Sequence, residues 1–258
     1  MSTRVYPLGQ VGYLFEFNNI RIVIDPYLTD SVAEQFGASL RRLCLSTLAP
    51  SELTAVSWVL LTHAHLDHTD PKSLAALWVA SPEVRFAAPY ECHELLESIG
   101  VPASHLVLVS AGDVISLAEN LRVRTIPAAH TEMETDATGR SRYVGYYIES
   151  KSAGIYHAGD TIPHEAIFAA LEGARIDYAF LPMNECNLFK IRNGIVGNMT
   201  PREAFSFAER IGARRLVPTH WDLFTPNCTF PWEIEALYAA LRPPFELRFM
   251  PCGSVHLL

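Results

Sequence analysis

The chain is 258 residues long, with 49% hydrophobic and 19% charged residues, a balance that buries a sizeable interior and excludes a disordered chain. Its 20 Lys and Arg against 28 Asp and Glu leave a net charge of −8, and no basic run exceeds the pairs Arg41-Arg42 and Arg214-Arg215. That charge opposes nucleic-acid binding, which calls for a basic face. The five cysteines, Cys44, Cys92, Cys186, Cys228 and Cys252, are odd in number, widely spaced and form no CxxC pair. They read as reduced thiols of a cytoplasmic protein, with Cys186, near a suspected site loop, as a buried structural thiol. The apolar stretch 11–24 is interrupted by Glu16, Asn18, Asn19 and Arg21 and alternates as strands do, so neither a signal peptide nor a membrane span is expected.

In chain order, residues 5–8, 13–17 and 20–24 read as strands, with Asn18-Asn19 as a hairpin turn. The third ends at Asp25-Pro26, where the carboxylate either orients a ligand imidazole or makes an Asx turn. Residues 31–45 cover a site mouth, and 56–61 form a buried strand. Asp70-Pro71 reads as an N-cap followed by proline at the first helical position, opening a helix over 71–80. A strand at 84–88 leads to a helix over 91–99, stopped by Gly100 with Pro102 beyond it. Strands follow at 106–109, 114–117 and 121–126, then a polar, mobile loop over 131–141. Strands at 143–149, 154–156 and 177–181 come next, and His157 reads as a hydrogen-bonded core histidine. Residues 183–199 lack an apolar period and read as a long, irregular, substrate-facing loop, with Asn184, Lys190 and Arg192 as substrate-binding candidates and the two cations placed to meet an anionic group. Thr200-Pro201-Arg202-Glu203 is a capping box that opens a helix to 211. A strand at 215–217, a helix over 231–241 and strands at 246–250 and 255–257 close the chain. The order is strands then helices, repeated, and implies two β-rich sheets face to face with helices outside. We expect a single domain, 1–258, built of two architectural halves at about 1–140 and 141–258.

The chemistry concentrates in His63-Ala64-His65-Leu66-Asp67-His68. Four potential ligands fall within six residues, directly after an apolar strand, and imidazole with carboxylate is the donor set divalent transition metals take. So many polar groups beside apolar sequence are costly unless something is bound there. Three later stretches add donors: Ala129-His130 behind small residues, Gly159-Asp160-Thr161 at a glycine turn, and Pro218-Thr219-His220. Asp160 has an alternative reading as the cap of the helix after Pro163.

His63–His68 resembles the HxHxDH motif of the metallo-β-lactamase fold hydrolases, and the three later stretches lie in that superfamily's order over nearly the whole chain. The resemblance implies an α/β fold, a four-layer αβ/βα sandwich of two mixed β-sheets. It assigns His63, His65 and His130 to one metal ion and Asp67, His68 and His220 to a second, with Asp160 between them. It also favours Asp25 as an orienting partner behind the ligands. The implied chemistry is hydrolysis at a binuclear site, hydroxide attacking a carbonyl or phosphoryl centre while Asp67 or Asp160 takes up and returns the proton. The ligand set admits Zn2+ or Mn2+. Iron is disfavoured, because His65 stands where diiron flavoprotein members carry an acidic residue.

Met199-Thr200 before a helix, with Pro218-Thr219-His220-Trp221-Asp222, is similar to the L-ascorbate 6-phosphate lactonase-like branch. This places Asp222 behind the ligands too. We therefore expect an enzyme that opens an ester or lactone bond of a small polar, possibly phosphorylated, substrate. The alternative is a phosphodiesterase acting on a small or cyclic phosphodiester, and the third reading is a non-catalytic metal-binding module. The expected partner is a small molecule, with neither nucleic acid nor membrane; self-association stays open.

Overall fold

The computed structural model describes residues 3–46 and 48–258. In the N-terminal half, β1 (Arg4–Gly9), β2 (Gly12–Phe17) and β3 (Ile20–Ile24) form an antiparallel meander, followed by the short helix α1 (Ser31–Phe36). Parallel strands β4 (Trp58–Leu60), β5 (Arg85–Ala88) and β6 (Leu106–Leu108) alternate with α2 (Pro71–Ala80) and α3 (His93–Ser98). The C-terminal half has β7 (Val114–Ala118), β8 (Leu121–Pro127), β9 (Val144–Ser150), β10 (Gly154–His157), α4 (Glu165–Leu171), β11 (Tyr178–Pro182), α5 (Leu188–Arg192), α6 (Pro201–Arg210), β12 (Arg215–Thr219), α7 (Pro231–Leu241), β13 (Glu246–Leu247) and β14 (His256–Leu257). Among the described residues these strands make two seven-stranded sheets, ordered β14-β1-β2-β3-β4-β5-β6 and β13-β12-β11-β10-β9-β8-β7.

Period-two alternation explains the layering, because successive strand side chains point to opposite faces. Tyr13, Phe15, Ile22, Ile24, Trp58 and Leu60 meet Val144, Tyr146, Ile148, Tyr178 and Phe180 between the sheets. Their neighbours Leu14, Val23 and Val59 point the other way, onto Leu74, Leu77 and Leu96 of α2 and α3. Ala179 and Leu181 likewise face Ile167, Phe205, Phe207 and Ile234 of α4, α6 and α7. Both faces of each sheet are therefore buried, and helix, sheet, sheet, helix is the order of layers. Burying each large apolar side chain contributes about 1.5–3 kcal/mol.

The local signals hold at the helix starts. Asp70 caps α2, accepting from the N–H groups of Lys72 and Ser73, and Thr200 with Glu203 closes the expected capping box on α6. Two expectations need correcting, those for residues 183–199 and for Cys186, and the 131–141 loop shows its contacts. The 183–199 stretch is not wholly irregular: Asn187 caps α5 through the Lys190 N–H at 3.0 Å. The 131–141 loop is braced: the Asp136 carboxylate accepts from Thr138 and Arg140, while Arg142 pairs with Glu91 at 2.6 Å and Glu134 at 2.9 Å. Cys186 is exposed, not buried.

Candidate metal centre

Six segments bring polar side chains to one edge of the sandwich. They are the β1–β2 turn with Gln10, the end of β3 with Asp25, the loop after β4 with residues 61–70, and the ends of β8, β10 and β12 with His130, Asp160 and His220. Several bend sharply as they leave the sheet: Gln10, Asp25, Gly159 and His220 have φ of 58°, 42°, 62° and 59°. At Gly159 this conformation combines with close approach, since a Cβ there would fall 2.8 Å from that of Thr62. His220 accepts the strain of a left-handed backbone, a cost of order 1–3 kcal/mol, and its N–H is tied to Gln10 O at 3.0 Å. Ala129 N–H donates to Thr161 Oγ1 at 3.0 Å and Ile162 N–H to Ala129 O at 2.7 Å, fixing the His130 loop against the Asp160 loop.

Three groups of donor atoms result, each within 4.8 Å: His63, His65 and His130; His63, His68 and Asp160; Asp67, His68 and His220. The Nε2 atoms of His68 and His220 lie 3.4 and 3.3 Å from Asp160 oxygens, and His130 Nε2 lies at 3.7 Å. Asp67 Oδ2 is 3.8 Å from His68 Nε2 and 3.6 Å from His220 Nε2. Donors about 2.0–2.2 Å from a tetrahedral ion stand roughly 3.3–3.6 Å from one another, and the three shortest of these separations fall in or at the edge of that range. His63 Nε2, His68 Nε2 and Asp160 Oδ1 are buried and have no hydrogen-bond partner. Orphaned buried polar atoms are costly, and here all three face one another. The residues fit a divalent metal.

The protonation states of His63, His65 and Asp160 favour the same role. Burial, reinforced by His68, holds the His63 imidazole well below its ordinary value, and burial with His130 lowers His65, so both rings stay neutral. Burial opposes charge on His68, yet Asp160 and Asp67 raise it; burial opposes charge on Asp160 too, yet His220 and His68 keep it ionised.

Behind these atoms, Asp25 is fully buried and accepts from Thr62 N–H at 2.8 Å and Thr62 Oγ1 at 2.6 Å, with His68 Nδ1 at 2.8 Å. A carboxylate on Nδ1 fixes the proton there and leaves Nε2 free, the usual support for a metal-bound imidazole. Thr62 Oγ1 sits 3.0 Å from His63 Nδ1. Asp160 does not cap α4; His164 does. His157 is a core histidine, with Nε2 2.7 Å from Val11 O and Nδ1 accepting from Gly159 N–H.

Three other expected site residues, Asp222, Asn184 and Lys190, are placed differently. Asp222 makes no hydrogen bond to an imidazole: His220 Nδ1 has no partner, Asp222 Oδ1 has none either, and burial pushes the Asp222 carboxyl up to about 6. Asn184 is buried and bonds Asn227 and Asn198. Lys190 is only 2% exposed, and its ammonium bonds Asn184 O, so it caps an internal carbonyl instead of meeting an anion. Arg192 is exposed on the same helix. Sequence reasoning missed Gln10, whose Nε2 lies 2.7 Å from Asp67 Oδ2 and 3.0 Å from His220 Nε2. Gly9-Gln10-Val11-Gly12 gives only a turn signal. Tyr143 was missed as well; its ring lies 5.3 Å from that of His63 and 5.2 Å from that of His130.

The profile of the Beta-lactamase superfamily domain matches residues 20–221, a span holding all seven clustered donors. The chain belongs to this superfamily. Its relatives include a UPF0173 metal-dependent hydrolase of Pyrobaculum calidifontis, 27% identical over 84% of this chain and 83% of the relative. A probable L-ascorbate-6-phosphate lactonase of Salmonella paratyphi B is 26% identical over 79% of this chain, which spans 60% of the lactonase. These relatives support the lactonase-like branch expected from the motifs. Igni18, a metallo hydrolase of Ignicoccus hospitalis, shares the fold with a TM-score of 0.76 at 20% identity, covering 100% of this chain and 99% of its own. The chain is thus a metal-dependent hydrolase with the metallo-β-lactamase fold. Among the described residues, no helix is long and apolar enough to cross a membrane.

Proposed function

We propose that the cluster holds two divalent cations, Zn2+ or Mn2+, and that the enzyme opens an ester or lactone bond in a small polar substrate. His63, His65 and His130 would hold one ion and Asp67, His68 and His220 the other, with Asp160 shared. The observation that carries this reading is the convergence of unpartnered buried His63 Nε2, His68 Nε2 and Asp160 Oδ1. Divalent cations held by these residues would supply Lewis acidity toward the scissile carbonyl and would lower the pKa of water from about 15.7 toward 7.

The protein's own groups do the rest. Asp67, partly exposed at the cluster, accepts the proton of the attacking water and returns it to the leaving oxygen. Gln10 steadies that carboxylate through its 2.7 Å hydrogen bond. Asp25 holds His68 in the tautomer that leaves Nε2 free. The similarity to the lactonase supports a lactone or ester over other electrophiles, and the odd number of widely spaced cysteines, without a CxxC pair, supports a cytoplasmic setting.

The test is a panel of lactones, carboxylic esters and phosphodiesters run separately with zinc and manganese. We expect turnover of lactones or esters, and loss of turnover in Asp160→Asn with its circular dichroism unchanged. Turnover confined to phosphodiesters, or full activity in Asp160→Asn, overturns the proposal.

A further inference from the structure

Away from the metal centre, two thiols distant in sequence meet. Cys44 lies in the 41–46 segment and Cys252 in the turn before β14; both are half-buried. The two are neighbours: the Cys252 S–H donates at 3.5 Å to Leu45 O, the carbonyl beside Cys44, and each thiol perturbs the ionisation of the other. The remaining cysteines are spoken for or solitary. Cys92 is fully buried beside Thr69, Cys228 donates to Phe224 O at 3.0 Å, and Cys186 is exposed without a thiol neighbour among its hydrogen bonds.

The segment carrying Cys44 is firmly placed. Arg42 Nη2 donates to Leu8 O at 3.0 Å and Nη1 to Tyr27 O, while Leu43 N–H donates to Leu223 O at 2.8 Å. Cys44 Sγ lies beneath Gly9, 3.5 Å from where a Cβ would stand, and Gly9 precedes Gln10 of the metal centre. At the other end, β14 is an edge strand held by a two-residue pairing with β1. The two thiols therefore join a fixed segment to a lightly held one.

We infer that Cys44 and Cys252 form a redox-responsive dithiol, which a low-molecular-weight disulfide oxidises to an intramolecular bond tying the C-terminal segment beneath the Gly9-Gln10 turn. The pair is chemically asymmetric. The neighbouring Cys44 lowers Cys252, helped by the Arg42 guanidinium, whereas the neighbouring Cys252 and burial raise Cys44. Cys252 is thus the attacking thiolate. It displaces one small thiol from the disulfide and forms a mixed disulfide; Cys44, giving up its proton, then displaces the second. One protein S–S bond forms, one small-molecule S–S bond breaks, two electrons pass to the small disulfide, and the two cysteine protons leave on two small thiols.

The test uses the full, metal-loaded chain incubated with oxidised glutathione, blocked with N-ethylmaleimide and digested with trypsin without reduction. Cys44 and Cys252 fall in separate peptides, 43–72 and 249–258, each with a single cysteine. We expect these two joined, at a mass about 2 Da below the sum of the reduced peptides, and separated again by dithiothreitol. Cys44→Ser should instead retain glutathione on Cys252. Both thiols recovered fully alkylated, or Cys252 linked to Cys186 or Cys228 as often as to Cys44, overturns the inference.

Discussion

The substitution Asp25→Asn isolates what one buried carboxylate does for the metal centre. Asp25 serves three donors, the Thr62 N–H, the Thr62 hydroxyl and His68 Nδ1, at 2.6–2.8 Å. Asparagine keeps the volume and tolerates the φ of 42°, but it offers one oxygen and turns an NH2 toward at least one donor. An unsatisfied buried donor costs about 1–3 kcal/mol. Taking roughly 2 kcal/mol, and about 2–4 °C per kcal/mol for a chain of this size, the melting temperature falls by roughly 4–8 °C. The effect on metal is separate: His68 is no longer locked with its proton on Nδ1, and affinity at its ion drops about 10–100-fold. Scanning calorimetry measures the first, and metal content by mass spectrometry after dialysis against chelator-buffered zinc or manganese measures the second. A lowered melting temperature with unchanged metal affinity would show that Asp25 merely packs, and would refute the orienting role.

Gln10→Asn keeps a residue that accepts the left-handed backbone but draws the carboxamide back from Asp67. Losing a hydrogen bond to a charged group, about 1.5–3 kcal/mol, should lower kcat/KM by roughly 10–100-fold with metal retained; unchanged kinetics would remove Gln10 from the site. Lys190→Met should lower stability by about 1–3 kcal/mol and leave the KM for phosphorylated and neutral substrates in the same ratio, whereas a selective rise for phosphorylated ones would return Lys190 to substrate binding. Burial holds the Tyr13 and Tyr146 hydroxyls well above their ordinary value and Tyr27 up to about 12. Since these folded values exceed the unfolded one, the stability they contribute is full below pH of about 10 and is lost as pH climbs toward 12. Absorbance at 295 nm should show a late wave of ionisation coincident with unfolding, and a single wave of all 10 tyrosines near pH of about 10 would contradict it.

The sequence alone determined what is local. Period-two alternation specified most strands, Asp70-Pro71 and the Thr200–Glu203 box specified two helix starts, and the density of His63, His65, Asp67 and His68 after an apolar strand marked a metal loop, because each depends on neighbours within a few residues. The motif order also sufficed to name the superfamily. Tertiary structure decided what depends on distant chain. Gln10 reads as a mere turn residue until β1, β2 and β12 set it against Asp67 and His220. Lys190 reads as an exposed cation until α5 forms and folds its ammonium onto the Asn184 carbonyl. Asp222 sits two residues from His220 yet leaves its Nδ1 without a partner, and Cys252 comes beside the Cys44 segment only because the C-terminal strand returns to pair with β1. A hydrogen bond between loops leaves no periodicity in either, so only the folded chain records it.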